Sequence, residues 1–342
     1  MNILVLHTQV PFVRGGAEVL VDGLVKALRE RDHTVDVVAL PLAWNPPEGL
    51  LTTALAWRML DLARFNDRAV DRVICTKFPT WAVEHECKSL WLIHQHRQAY
   101  DLYGTKLSEF TPDPASRETR DRVVDIDSLG IADCAPRFGI SRNVCDRLRR
   151  YNGLDATPLY PPVPRAGLRA EAYEPFILSA ARLDDAKRVE PAIRAMAHVP
   201  RGLRLEIVGD GPNRHDLELL ARSLGVDDRV TFRGRVSDDA LQALYNTCSG
   251  VYYAPVDEDY GYSTVEALQA SKPVVTAPDS GGVLEFVTDS ETGIVTSLDG
   301  EALGAAFGVL ADPVVARRLG EHGPALTANL TWDIVVESLL DG

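Results

Sequence analysis

The chain has 342 residues, 46% of them hydrophobic and 25% charged, with a formal net charge of −13. That length exceeds what one core usually serves, so two domains of a soluble globular protein are the starting expectation. The acidity argues against a nucleic-acid partner, whose affinity comes mainly from neutralised phosphates, and no apolar run reaches the roughly eighteen residues of a membrane span. Charge is unevenly placed: through Arg165 there are 21 basic and 21 acidic residues, and beyond it 15 basic against 28 acidic. The five cysteines show no CxxC spacing. A reduced, cytoplasmic chain without structural zinc is expected.

In chain order, Met1–His7 has no basic leader and predicts a first strand at 3–7 rather than a signal peptide. Further strands are predicted at 35–40, 72–76, 90–94 and 138–141, with helical stretches that include 17–31 and 117–134. Three prolines in Tyr160-Pro161-Pro162-Val163-Pro164 forbid helix and central strand, and predict a stiff extended linker. The alternation then restarts, with strands expected at 176–181, 203–209, 229–234, 250–255, 273–277 and 293–297. The segment from Trp332 to Leu340 has apolar positions at helical spacing. This pattern predicts two doubly wound parallel-sheet α/β domains: 1–163, 164–328, and a terminal helical piece, 329–342.

Candidate chemistry lies at strand ends, where ligands bind in open α/β sheets. Gly15-Gly16 after the first strand lets a ligand approach a helix N-terminus, where free amides favour anions; an ordinary tight turn is the other reading. His94 and His96 flank Gln95, followed by Arg97; they suit donation to a sugar hydroxyl or phosphate better than zinc, for which no third ligand is near, and a satisfied strand-end histidine is the other reading. Helix residues Arg142, Arg147, Arg149 and Arg150 form either a solvated face or a peripheral contact with a membrane or anionic acceptor. Phe110-Thr111-Pro112-Asp113-Pro114, with two prolines and polar residues, is expected to be a mobile lid or an acceptor loop.

In the second half, Arg182 and Lys187 follow a strand and suit a diphosphate, unless they simply pair with Asp184 and Asp185. Gly209-Asp210-Gly211-Pro212 is mainly a structural turn that leaves room for a nucleotide. A base pocket is expected near Arg235 and Val236. Glu258 and Glu266 stand eight positions apart, with Tyr260, Gly261, Tyr262, Ser263 and Thr264 between them. Glu258 falls on a loop after a strand, Glu266 one turn into a helix, and Ser263 or Thr264 is the expected N-cap. A carboxylate pair so placed can grip sugar hydroxyls; taken alone, it reads equally as an acidic loop that keeps a turn solvated. No GxGxxG is present, so a dinucleotide-dependent dehydrogenase is disfavoured.

From Gly15-Gly16 to the Trp332 segment the set resembles retaining glycosyltransferase family 4, whose members have the GT-B architecture of two Rossmann-like domains facing across a cleft. The resemblance centres on Glu258 through Glu266 and on Ser271-Lys272-Pro273-Val274-Val275. Arg182 with Lys187, Gly209-Asp210-Gly211-Pro212 and Gly281-Gly282 support it. Lys272 stands where the family usually has glycine, and is expected on the surface. His94-Gln95-His96-Arg97-Gln98-Ala99-Tyr100-Asp101 is similar to an element of mannosyltransferase-like members, one residue shorter.

The resemblance implies that Glu258 and His94 meet the donor sugar, Arg182 and Lys187 carry the leaving diphosphate, Glu266 holds the ribose, and Gly16 admits the diphosphate. It implies transfer of a hexose from a UDP- or GDP-sugar to an acceptor hydroxyl with retention, without metal or cofactor. The acceptor is expected to be a carbohydrate or lipid-linked, met by His96, Arg97 and Tyr100, and the terminal helix to cross back to the first domain. The alternatives are a sugar-nucleotide epimerase and a non-catalytic nucleotide-sugar-binding protein.

Overall fold

The computed structural model describes residues 1–341, which form two compact units. The first runs from Met1 to Pro162 and includes the segment from Thr331 onward; the second spans Val163–Leu330. In the first, β1 (Asn2–Gln9), α1 (Gly16–Arg29), β2 (Thr34–Pro41) and α2 (Glu48–Arg58) precede a small hairpin, β3 (Arg64–Phe65) with β4 (Arg68–Ala69). There follow β5 (Arg72–Lys77), β6 (Lys88–His94), α3 (Pro114–Ala132), β7 (Arg137–Gly139), α4 (Arg142–Asn152) and β8 (Thr157–Pro158). The second unit contains β9 (Glu174–Ala180), α5 (Glu190–Ala195), β10 (Arg204–Val208), α6 (Arg214–Ser223), β11 (Val230–Gly234), α7 (Asp238–Thr247) and β12 (Cys248–Tyr252). It closes with α8 (Tyr262–Gln269), β13 (Val274–Thr276), β14 (Gly293–Val295), α9 (Gly300–Leu310), α10 (Pro313–Gly320) and α11 (Gly323–Thr327), before α12 (Trp332–Leu340).

Each unit holds a six-stranded parallel sheet, ordered β2-β1-β5-β6-β7-β8 in the first and β11-β10-β9-β12-β13-β14 in the second. The eleven predicted strands are all present, with ends displaced by three residues or fewer. Helices cover both faces, so central strands need no polar side. Every residue of β5 and of β12 is buried, which is why these strands read as runs rather than alternations. The strand order reverses direction between β1 and β5 in one unit and between β9 and β12 in the other. At such reversals successive loops diverge and leave room for a ligand.

Helix α12 packs in the first unit. Its N-cap Thr331 accepts from the Ile334 amide, and the Trp332 ring meets Trp91 edge-on at 6.1 Å. The same indole fills the space over Gly23 in α1, where a β-carbon has no room. The Leu339 carbonyl accepts from Arg72 at 3.1 Å and Ser89 at 3.2 Å, giving two buried donors a partner.

Three local expectations need correction. Helix α8 begins at Tyr262 with Gly261 as N-cap at φ 86°, because Ser263 uses its hydroxyl on the Ala180 carbonyl (2.6 Å) and the Thr264 hydroxyl is buried. Asp113 is not part of a free loop: its carboxylate caps α3, accepting from the amides of Ala115 (3.0 Å) and Ser116 (3.1 Å). Lys272 is fully buried rather than on the surface. Its ammonium donates to the Ala172 carbonyl and lies 3.7 Å over the Tyr173 ring, a pairing that offsets part of its desolvation. Burial still pulls its pKa down to about 8.

Candidate active site

In the second unit the reversal places the loop after β9 beside the loop after β12. The first loop supplies Arg182 and Lys187, the second Glu258. Asp184 caps a short turn by accepting from the Lys187 amide, which sends the lysine side chain toward β12. Lys187 pairs with the Glu258 carboxylate and donates to the Tyr253 hydroxyl at 3.3 Å; that hydroxyl donates to Glu258 at 2.8 Å. Burial alone would lower the lysine pKa, but the Glu258 carboxylate outweighs it and holds the ammonium protonated.

The neighbouring Arg188 fixes this triangle. It sits in the left-handed region at φ 48° and donates to the carbonyls of Ala254 (2.7 Å) and Pro255 (2.6 Å). Two further bonds of 2.8 Å clasp the Asp279 carboxylate. The Asp257 amide donates to the Asp279 carbonyl (2.9 Å), the Glu258 amide to Ser280 (3.2 Å), and Gly282 returns a bond to the Glu258 carbonyl (2.8 Å). A β-carbon on Gly282 would crowd the backbone of Asp259, which accounts for the glycine.

The remaining candidates lie around this core. The Arg182 side chain is 54% exposed, with Asp184 at 3.5 Å, an open pair that holds it weakly. Gly209 is required by the Ala181 carbonyl, which passes where a side chain would be. Arg235 is exposed and Val236 half-buried after β11. Tyr260 is buried between the rings of Tyr262 and Phe286. Glu266 is buried in α8 and its carboxylate lies 3.3 Å from Arg165, which sequence reasoning did not single out. Tyr253, Arg188 and Asp279 also escaped notice, because side chains that serve a site from below carry no motif.

The first unit has its own charged cluster at its reversal point. His7 at the end of β1 lies 3.3 Å from Glu18 in α1, and Lys77 at the end of β5 lies 3.4 Å from the same oxygen. The other Glu18 oxygen accepts from the Gly15 amide at 2.7 Å, so this carboxylate shapes the Gly15-Gly16 turn. His94 is register partner of Lys77, and its Nδ1 lies 2.7 Å from the Gln95 carbonyl.

The other residues of that element turn inward. His96 packs between the rings of Phe78 and Phe110, and burial pushes its pKa down to about 4, so it is neutral at pH 7. Arg97 donates to Asp101 at 3.0 Å, and buried Arg147 faces the same carboxylate at 3.4 Å. Arg149 is held by Asp155 at 2.7 Å and Arg150 lies 5.2 Å over the Tyr151 ring, so much of the basic cluster on α4 is engaged within the unit. The Tyr100 hydroxyl donates to the fully buried Asp127 at 2.6 Å, as does the Trp81 indole at 2.9 Å.

Burial raises the Asp127 pKa to about 7. The folded state therefore holds a proton that the unfolded state has released between about pH 4 and 7. Stability from this group is full below pH 4 and declines as pH rises to 7, at up to ~1.4 kcal/mol per pH unit. Denaturant titrations across that range should show the decline in the native protein and its loss in Asp127→Asn; parallel curves would contradict it.

Among the described residues no three His, Cys, Asp or Glu side chains group as a metal site would require, and no helix is long and apolar enough to cross a membrane. Two parallel α/β units, each with a reversal in its strand order, have the fold of the GT-B glycosyltransferases. Sucrose-phosphate synthase of Thermosynechococcus elongatus superposes with a TM-score of 0.74 at 22% identity, covering 98% of this chain and 97% of that one. Residues 165–307, within the second unit, match the family described as Glycosyl transferases group 1. The D-inositol 3-phosphate glycosyltransferase of Nocardia farcinica is 28% identical over 385 aligned residues, spanning all of this chain and 83% of the relative. The GDP-mannose-dependent alpha-(1-6)-phosphatidylinositol monomannoside mannosyltransferase of Mycobacterium tuberculosis is 31% identical over 209 residues, 55% of this chain and 53% of its own length.

Proposed function

We propose that this enzyme transfers a hexose from a nucleoside-diphosphate sugar to a hydroxyl of a glycan or lipid-linked acceptor, with retention at the anomeric carbon and without a metal. The observation that carries the reading is the Lys187–Glu258–Tyr253 triangle at the β9/β12 reversal. As the anomeric carbon–oxygen bond breaks, positive charge grows on the sugar ring and negative charge on the leaving phosphate. Lys187, with the more exposed Arg182, stabilises the phosphate, and Glu258 faces the ring. The acceptor oxygen attacks the same face, its proton passes to the departing phosphate oxygen, and the nucleoside diphosphate leaves. Fixed charges in place before reaction supply this stabilisation without reorganisation. Glu266 is assigned to the ribose hydroxyls, Gly15 and Gly16 to the diphosphate, and His94 to the donor sugar.

The relatives named for inositol phosphate and phosphatidylinositol mannoside suggest the first acceptors to try. A panel of UDP- and GDP-hexoses, each with and without D-inositol 3-phosphate or a phosphatidylinositol mannoside, tests the reading. Acceptor-dependent release of UDP or GDP, unaffected by EDTA, with the donor's anomeric configuration in the product, is expected. Conversion of the sugar nucleotide without acceptor would instead identify an epimerase. Binding of donors without any turnover, across a wide acceptor range, would mark a non-catalytic binder.

A further inference from the structure

Glu266 is a buried carboxylate whose cationic neighbour comes from an unexpected place. Arg165 lies three residues beyond Pro162, where the first unit's main segment ends. Its Nη1 donates to the Asp238 carboxylate at 2.7 Å, and its Nε stands 3.3 Å from Glu266. The segment after it is tied along α7. Gln242 and Asn246 donate to the Gly167 carbonyl at 3.1 and 3.3 Å, and Arg169 donates its amide to the Asn246 side chain at 3.0 Å. Arg165 is thereby fixed by α7 and aimed at α8.

Two buried polar atoms beside Glu266, Arg165 Nε and the Tyr245 hydroxyl, make no hydrogen bond of good geometry among the described residues. Buried polar atoms are ordinarily satisfied, so two left over beside one carboxylate call for an explanation, and a bound ligand's hydroxyls are one. We propose that Arg165 is a positioning residue for the donor nucleotide: it holds Glu266 ionised and oriented so that the carboxylate accepts both hydroxyls of the ribose. This rests on the assignment of Glu266 to the ribose.

The charge argument follows from the surroundings. Burial raises the Glu266 pKa, and Arg165 is the first influence that lowers it again. The other titratable groups that face it are Asp238 and Tyr245 from α7 and Tyr262 from α8, none of them cationic. Without Arg165, Glu266 keeps a proton to higher pH and one of its two acceptor oxygens is lost. Ribose recognition then weakens at neutral pH and recovers as pH rises.

The test compares UDP and GDP with their 2′,3′-dideoxy analogues by calorimetry from pH 7 to 9.5, on the full chain. The ratio of the two affinities isolates the ribose hydroxyls and cancels phosphate ionisation. The wild-type protein is expected to prefer the ribonucleotide by about 10- to 100-fold, the usual worth of hydrogen bonds to a charged group, with little pH dependence. Arg165→Gln should lose most of that preference at pH 7 and regain it toward pH 9.5. Arg165→Lys should retain part of it throughout, and Glu266→Gln should lack it at every pH. An unchanged preference in Glu266→Gln removes the ribose assignment itself. Loss in Glu266→Gln with a wild-type profile in Arg165→Gln overturns only the role of Arg165. Equal weakening of both nucleotides in Arg165→Gln, without pH dependence, reduces it to a structural contact.

Discussion

Alanine in place of Lys187 is expected to lower turnover by about 100- to 1000-fold, the usual loss when one preorganised charge donor at a developing anion is removed. Stability should fall as well. Glu258 and the Tyr253 hydroxyl are built around the ammonium, and its removal leaves the carboxylate partly buried with no cation of that triangle. A fully buried pair broken this way costs about 3–5 kcal/mol, and these side chains keep some access to solvent, so about 1–3 kcal/mol is the appropriate range. The companion change, Glu258→Gln, frees the lysine. If Lys187 must be shared between the carboxylate and the donor's phosphate, that variant should bind UDP or GDP at least as tightly as wild type while transferring far less sugar. Steady-state kinetics with nucleotide calorimetry and a thermal melt separate these effects. A Lys187→Ala enzyme with kcat within about tenfold of wild type and only KM altered would remove the lysine from the reacting centre, since loss of uniform binding alone leaves kcat unchanged.

Much of this site was legible in the chain, but as fragments. Lys187 and Glu258 each stand on a loop after a recognisable strand, and each could be nominated for that reason. Their contact could not be nominated: 71 positions separate them, and the meeting depends on β9 lying next to β12 in the sheet. Arg165 offered less still, a single cation after a proline run whose partner lies on α8. Where local rules failed, a tertiary partner had intervened. Ser263 is a favoured N-cap type, yet its hydroxyl is drawn to Ala180 and the glycine before Tyr262 takes the cap. Lys272 looked like a surface residue because the Tyr173 ring that covers it lies 99 positions earlier, where no periodicity reveals it. The buried acid Asp127 sits within a polar helix of low apolar contrast, so nothing in its neighbours distinguished it from a solvated aspartate.

In the first unit the largest effect is expected from Glu18→Ala. This carboxylate faces buried Lys77, accepts from the Gly15 amide, and lies within reach of His7, so its removal leaves a cation in the interior and a helix-start amide unpaired. The loss should be about 3–5 kcal/mol, equivalent to roughly 6–20 °C in the melting temperature of a unit this size. Acid sensitivity supplies an independent check on the cause. Burial would raise the Glu18 pKa, but His7, Lys77 and the Gly15 amide together bring it down to about 2 from an ordinary 4.5. Because the folded value is the lower one, its contribution is present above about pH 4.5 and is lost as pH falls toward 2. Glu18→Gln, which preserves shape and the bond from Gly15, should therefore be less stable than wild type at pH 7 and converge on it in acid. His7 adds little to this trend at neutral pH, since burial lowers its pKa and leaves the ring uncharged there. If the two proteins keep a constant gap from pH 7 down to the acid transition, ionisation of Glu18 is not what holds the turn, and its role reduces to packing beside Gly15.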